Sequence, residues 1–265
     1  MSADPFDLTG RVVVVTGGLG QLGRQFAGAL AARGARVAAL DVASDAGVAP
    51  LPAGVRLVHA DVRRRDSLEA ALATIRNELG VPDALVNGAA IDSPPDAPAA
   101  ENGPFEDYPL ESWNRVMEVN VTGVMLCCQV FGAGMASAGR GSIVNIASIY
   151  GLVSPDQRIY AYRADADAPF IKPAVYSASK SALLNLSRYL ATYWAPRGVR
   201  VNTLTLAGVY NAQDPRFLEA YCARIPIGRM ARPDEYNGAV VFLCSDASAY
   251  MTGANMVVDG GWTAW

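Results

Sequence analysis

The sequence predicts an α/β protein of one domain, residues 1–265, with a doubly wound parallel sheet of about seven strands and helices on both faces. Three observations predict it. Short β-branched apolar runs recur along the chain, stretches of helix-forming residues alternate with them, and 265 residues suit one such domain with a generous core.

Arg11 to Thr16 (RVVVVT) is apolar and β-branched, as a strand buried on both faces requires. A glycine-rich string leads into LGRQFAGALAARG, a helical stretch with Gly34 placed as its C-cap. Arg36 to Leu40 and Arg56 to His59 read as strands, and Asp66 to Leu79 as an amphipathic helix. Ala84 to Asn87 is the next strand, Leu110 to about Ala138 is helical, and Ser142 to Ala147 is again a strand. Ser177 to Trp194 reads as helix, Val199 to Leu204 as strand, Pro233 to Cys244 as helix and Asn255 to Val258 as the last strand. Two segments break the alternation. Residues 91–108 are proline-rich and acidic, and residues 155–173 are irregular and rich in Tyr, Arg and Asp. Loops of that length inside one domain predict a binding function, here a substrate lid near 155–173.

Composition narrows the function. The chain is 51% hydrophobic and 18% charged, a globular balance, and a net charge of −3 offers no basic surface for nucleic acid or membrane. The N-terminus MSADPFDLTG lacks the apolar core of a secretory leader, and no run reaches the ~18 uninterrupted apolar residues of a membrane span. A cytoplasmic protein is expected. Cys127, Cys128, Cys222 and Cys244 have no CxxC spacing and read as small buried hydrophobes. With His59 the sole histidine, a His-rich metal site is excluded, and no metal is expected.

TGGLGQLG at 16–23 lies between a predicted strand and a predicted helix, where a dinucleotide pyrophosphate would bind. Glycines allow a tight turn and close backbone approach, and the helix N-terminus offers N–H donors and partial positive charge. Gly17, Gly20, Gln21 and Leu22 are the candidate contacts. Asp41 ends the second strand, where a carboxylate can accept bonds from the adenosine ribose and repel a 2′-phosphate. No Arg or Lys lies within 17–23 or directly after Asp41, which predicts NAD rather than NADP. Asp61 and Val62 follow the third strand at the depth of an adenine edge, and Asn87, Gly88 and Ala89 follow the fourth against the middle of the cofactor.

YSASK at 176–180 puts Tyr176 and Lys180 one helical turn apart on one face. A phenol of pKa about 10 is a poor base at neutral pH. A nearby ammonium and a nicotinamide charge would have to supply about 4 kcal/mol to bring it near 7. Ser148 ends the strand IVNIAS and can hydrogen-bond a reacting oxygen.

The glycine turn, the acid after the second strand, Asn87, Asn120 in VNVTG, Ser148 and Tyr-x-x-x-Lys occur in one order. As a set they resemble the short-chain dehydrogenase/reductase family in its compact, single-domain Rossmann branch, from Arg11 to VVDGGW at 257–262. The resemblance implies Tyr176 as general acid/base, Lys180 as its pKa-lowering partner and ribose ligand, and Ser148 as the donor that orients the substrate oxygen. It implies that Asn120 holds a water linking Lys180 to solvent, and that Gly208 and Val209 meet the carboxamide. It further implies a homo-oligomer, dimer or tetramer, built on the YxxxK helix and the last helix and strand. The C-terminal Trp262 and Trp265 would suit burial by a partner or within their own chain. Departures occur at Gln21, where the family's turn has its middle glycine, at Asn87-Gly88-Ala89-Ala90 for NNAG, and at Leu206-Ala207 for Pro-Gly.

Gln157, Arg158, Tyr160, Tyr162, Arg163, Asp165, Asp167 and Lys172 lie in the long insertion between Ser148 and Tyr176. Their guanidiniums suggest a sugar, sugar acid or sugar-nucleotide rather than a steroid or acyl chain. Residues 209–225 would form the other rim. The expected activity is an NAD-dependent oxidoreductase moving a hydride between an alcohol or carbonyl carbon and the cofactor. A dehydratase or epimerase that keeps NAD bound, and a non-catalytic NAD-responsive binding protein, are the alternatives. A Ser148 hydrolase is disfavoured, because no GxSxG is present and His59 is the sole histidine to serve as base.

Overall fold

The computed structural model describes residues 4–43, 50–92, 101–163 and 170–265. Seven strands form one sheet: β1 (Val12–Thr16), β2 (Arg36–Asp41), β3 (Val55–His59), β4 (Ala84–Asn87), β5 (Gly141–Ser148), β6 (Val199–Leu206) and β7 (Asn255–Val258). Their order is β3-β2-β1-β4-β5-β6-β7, and every neighbouring pair is parallel. The connections carry α1 (Gln21–Ala32), α2 (Arg65–Glu78), α3 (Leu110–Met117), α4 (Val124–Ala138), α5 (Ala174–Trp194), α6 (Pro215–Cys222) and α7 (Asn237–Cys244).

The run of valines in β1 is explained by burial on both faces. Val12 and Val14 join one core with Phe131, Leu183 and Trp194 of α4 and α5, while Val13 and Val15 join a second with Phe26, Leu30 and Val240 of α1 and α7. A third cluster lies over the C-terminal ends of the strands, where Ile159 and Tyr160 of the insertion pack with Tyr150, Tyr221, Ile225 and Trp262.

Leu110 to Ala138 is continuous, but a π-helical turn over Glu118–Gly123 joins α3 to α4. By length and composition this helix could cross a membrane, with a mean hydropathy of 1.5 over its most apolar window. Half of that window is buried, and Cys127, Cys128, Phe131 and Met135 of α4 belong to the core. Its apolarity is that of a helix packed on a sheet.

Three elements differ from expectation. The helix expected from Pro233 begins at Asn237, because Glu235 accepts from the Arg232 backbone N–H and pairs with Arg229, holding residues 232–235 in a turn. α5 starts three residues early, at Ala174 behind Pro173. Within the expected rim, residues 215–222 form α6: Asp214 caps it by accepting from Arg216 N and Pro215 fills its first turn. Within the insertion, Gln157–Arg163 forms a 3₁₀ turn, and Asp165 and Asp167 lie outside the described residues, as do residues 93–100 of the acidic loop.

Candidate active site

Strand order reverses between β1 and β4, and a crevice opens there at the strands' C-terminal ends, the place where ligands bind in open parallel sheets. Thr16 ties its two walls together by accepting from Gly88 N and Ala89 N, both at 3.1 Å. One cavity of about 560 Å³ is lined by Gly17, Gly20, Gln21, Leu22, Ser148, Tyr176, Lys180 and Val209. A neighbouring hollow of about 440 Å³ is lined by Asp41, Asp61 and Val62, and shares Gly17 and Gly20 with the first.

The glycine turn suits an extended anionic ligand. A Cβ at Gly23 would lie 2.0 Å from the Gly17 carbonyl oxygen, and Gly17 sits at φ +70 against the Ala89 backbone. Side chains would fill this cradle. No side-chain oxygen caps α1 at Gly20, which leaves its first N–H groups to a ligand. Gln21, the departure from the glycine pattern, donates from Nε2 to the Tyr210 carbonyl at 2.9 Å, linking the turn to the segment after β6. Asp41 stands at the end of β2, with one carboxylate oxygen accepting from Leu19 N (2.9 Å) and the other from Ala43 N (3.0 Å). Arg63 and Arg115 also line this hollow, a feature that sequence proximity did not reveal. Both are engaged by carboxylates: Arg63 grips Asp61 at 2.7 Å and holds that carboxyl below its usual range, and Arg115 pairs with Glu101 at 2.7 Å.

Deeper in the cleft, Tyr176 and Ser148 line the same cavity, and Ser148 Oγ accepts from Tyr150 N at 3.2 Å. Lys180 lies beside them, its Nζ donating to the Ile146 carbonyl at 2.8 Å and sitting 5.8 Å from the centre of the Tyr176 ring. The expected lowering of the Tyr176 pKa is not what these surroundings produce. Burial pushes the phenol above its ordinary range, the Asp92 carboxylate adds to this, and the nearby Ser148 hydroxyl acts in the other direction. Burial pulls the Lys180 ammonium down to about 8, with Asp92 acting in the other direction.

Two expected residues sit outside both cavities. Asn87 turns its amide into the core, donating to Asn145 Oδ1 at 2.8 Å and to Cys128 Sγ at 3.4 Å, so the cleft at this point is walled by Gly88, Ala89 and Ala90. Asn120, in the π turn, is fully buried. Its Oδ1 accepts from Ile91 N at 2.8 Å, and its Nδ2 donates to Ile91 O at 2.9 Å and Ser179 Oγ at 3.0 Å. The side chain is thereby spent clamping the exit of β4 to α5.

Tyr150, Tyr221 and Asp92, which sequence reasoning did not assign, complete the cavity together with Tyr160 and Lys172 of the insertion. Tyr150 and Tyr160 join hydroxyls at 3.1 Å, and Tyr221 accepts from Gly208 N at 2.8 Å. Burial pushes all three phenols up, so they act as neutral hydrogen-bonding groups. Asp92 and Lys172, far apart in sequence, meet in an ion pair on the wall. Trp262 is buried within its own chain, its ring 4.4 Å from that of Tyr221, whereas Trp265 is 82% exposed.

The chain matches a family model described as enoyl-(acyl carrier protein) reductase over residues 17–263. It is 37% identical to D-threitol dehydrogenase of Mycolicibacterium smegmatis, over 97% of this chain and 95% of that protein. A short-chain dehydrogenase from Leptospira borgpetersenii with bound NAD+ has a TM-score of 0.86 at 32% identity, covering 99% of this chain and 97% of that one. A gluconate 5-dehydrogenase from Burkholderia cenocepacia in complex with NADP and tartrate has a TM-score of 0.82 at 27% identity, covering 99% and 98%. Likeness of sequence and of fold along almost the entire length, on a parallel sheet with a dinucleotide cleft at its switch point, means that this chain belongs to the short-chain dehydrogenase/reductase family of oxidoreductases.

Proposed function

We propose that this enzyme oxidises a secondary alcohol of a polar, hydroxyl-rich substrate with NAD, and reduces the carbonyl in the reverse direction, with Tyr176 as acid/base. The observation that carries the reading is the convergence of Ser148, Tyr176 and the buried Lys180 on the one cavity that the glycine turn opens into. The polar side chains on that cavity's walls, and the likeness to D-threitol dehydrogenase, support a substrate carrying several hydroxyls.

In this reading Ser148 donates to the substrate oxygen and holds it against Tyr176. The Tyr176 phenolate would take the alcohol proton during oxidation, and the Tyr176 phenol would return it during reduction. Lys180, an ammonium below about pH 8, keeps positive charge next to the phenol. When bound, the nicotinamide supplies the hydride acceptor or donor. Gly17, Gly20 and the first turn of α1 would hold the pyrophosphate, Gln21, Leu22 and Val209 would flank the cofactor, and Asp41 the adenosine ribose. Asp61 and Val62 would border the adenine. A homo-oligomer belongs to the same reading, supported by the exposed Trp265 and by the stacked, exposed Tyr189 and Tyr193 on α5.

NAD is preferred over NADP because a 2′-phosphate would meet the Asp41 carboxylate, while Arg63 and Arg115 are occupied by Asp61 and Glu101. The test is a near-ultraviolet absorbance screen with NAD and NADP, each offered against polyols, sugars, sugar acids and sugar-nucleotides. Turnover is expected with NAD and a hydroxyl-rich alcohol. Asp41→Ala should shrink the NAD-over-NADP ratio in kcat/KM by about 100-fold, the size of a repulsion of a few kcal/mol. A wild type that favours NADP, or an unchanged ratio in the variant, contradicts the role given to Asp41.

A further inference from the structure

The cavity wall beside Tyr176 carries charges that the reaction itself does not use. Lys172 is only 7% exposed, yet its ammonium lines both the reaction cavity and the outer vestibule, and lies 5.3 Å from the centre of the Tyr176 ring. Its partner Asp92, 52% exposed, borders the same two spaces. Burying an ammonium costs several kcal/mol, and a half-exposed carboxylate recovers only part of that.

The backbone at Lys172 is nonetheless held in register. Gln157 grips it twice, accepting from Lys172 N at 2.8 Å and donating to Lys172 O at 3.1 Å, and Ile171 N donates to Asn102 O at 2.7 Å. The 3₁₀ turn that carries Gln157 is itself anchored by the burial of Ile159 and Tyr160. A side chain aimed this way into a cavity is placed for a ligand.

We propose that Lys172 and Asp92 form a subsite that grips a second hydroxyl of a neutral polyol, on a carbon near the one being oxidised. This rests on the oxidoreductase reading above and goes beyond it by choosing among polar substrates. A hydroxyl both donates and accepts, so one hydroxyl can donate to the Asp92 carboxylate and accept from the Lys172 ammonium. A carboxylate or phosphate of the substrate can only accept, and would bring its charge against Asp92. The guanidiniums of the insertion, which suggest a sugar, sugar acid or sugar-nucleotide, already have partners within the protein. Arg158 is bound to Asp156 at 2.8 Å, and Arg163 lies over the Phe170 ring at 4.3 Å. On the facing rim, Arg216 pairs with Asp214 at 2.9 Å and covers Tyr162.

The experiment compares kcat/KM with NAD for butane-2,3-diol and D-threitol, which carry a hydroxyl on the carbon next to the one oxidised, for butan-2-ol, which has only the reacting hydroxyl, and for 3-hydroxybutyrate, which has the reacting hydroxyl and a terminal carboxylate. Wild type, Lys172→Met, Lys172→Arg and Asp92→Asn are each measured. Wild type should prefer butane-2,3-diol and D-threitol to the other two. Lys172→Met and Asp92→Asn should each shrink the butane-2,3-diol-over-butan-2-ol ratio by about 30-fold, the loss of one charge-assisted hydrogen bond. Most of that loss should appear in KM, and Lys172→Arg should restore part of the ratio. A purely structural role would lower both rates together and leave the ratio alone, which would overturn the subsite while the enzyme's class stands. A wild type that prefers 3-hydroxybutyrate would overturn it too. A wild type that oxidises none of these compounds but turns over another alcohol in the wider screen would overturn the subsite and leave the oxidoreductase reading standing, whereas no turnover in either would overturn both.

Discussion

Tyr176→Phe is expected to reduce turnover by about 1,000-fold or more, the upper part of the range for a positioned general acid or base. The substitution removes one oxygen and keeps the ring, which lies in the cleft under Lys172 and next to Lys180. What is lost is the proton carrier that stands beside Ser148 in the cavity. Binding of NADH, followed by fluorescence, should remain largely intact, because the glycine cradle and Asp41 lie elsewhere in the cleft. The raised phenol also gives the pH dependence a sign. Burial favours the neutral hydroxyl, so reduction, which needs a proton donor, should persist through neutral pH, whereas oxidation should speed up as pH rises. Substantial turnover by Tyr176→Phe would remove the acid/base assignment.

Lys180→Met is expected to make the enzyme inactive and more stable at neutral pH. Lys180 is held at about 8 in the fold, against 10.5 for an ordinary lysine. Below pH 8 it is charged in both folded and unfolded chains, and the folded one carries the full cost of burying it, about 3 kcal/mol at 1.36 kcal/mol per pH unit. Between about 8 and 10.5 the folded chain has shed the proton while the unfolded chain still holds it, so the cost shrinks; above 10.5 it is gone. Methionine removes the charge and forfeits the bond to the Ile146 carbonyl, worth about 1 kcal/mol. The net gain is about 2 kcal/mol at pH 7. The Tm difference between variant and wild type should therefore be positive at pH 7 and vanish or reverse above pH 10.5. A variant less stable at neutral pH would show that the buried ammonium is not under this strain. A stabilising loss of function fits a group kept for chemistry at the expense of the fold.

The sheet was the most legible part of the chain. Strands buried on both faces are written as unbroken apolar runs, and Ala84–Asn87 and Asn255–Val258 fall where the sequence puts them. The helical spacing of Tyr176 and Lys180 likewise survives into three dimensions, because i and i+4 share a face whatever the surroundings. α6 had a local signal that went unused, the Asp214-Pro215 start. The Asn87 amide was misdirected because strand ends alternate faces, and its position alone does not say whether the cleft or Asn145 receives it. The joining of Lys172 to Asp92 and of Gln21 to Tyr210 had no local signal. Those contacts are made by how the loops at the strand ends fold over one another, a tertiary outcome that spacing does not encode.

The most direct measurement follows deuterium from a polyol labelled on its carbinol carbon, with NAD supplied in stoichiometric amount. The account predicts that the label arrives on the nicotinamide ring, one deuteron for each ketone formed, and that Tyr176→Phe stops its transfer. Label that returns to the sugar carbon or is lost to water, with no reduced cofactor accumulating, would mean that the enzyme keeps its cofactor in one turnover as an epimerase or dehydratase, and would contradict net alcohol oxidation.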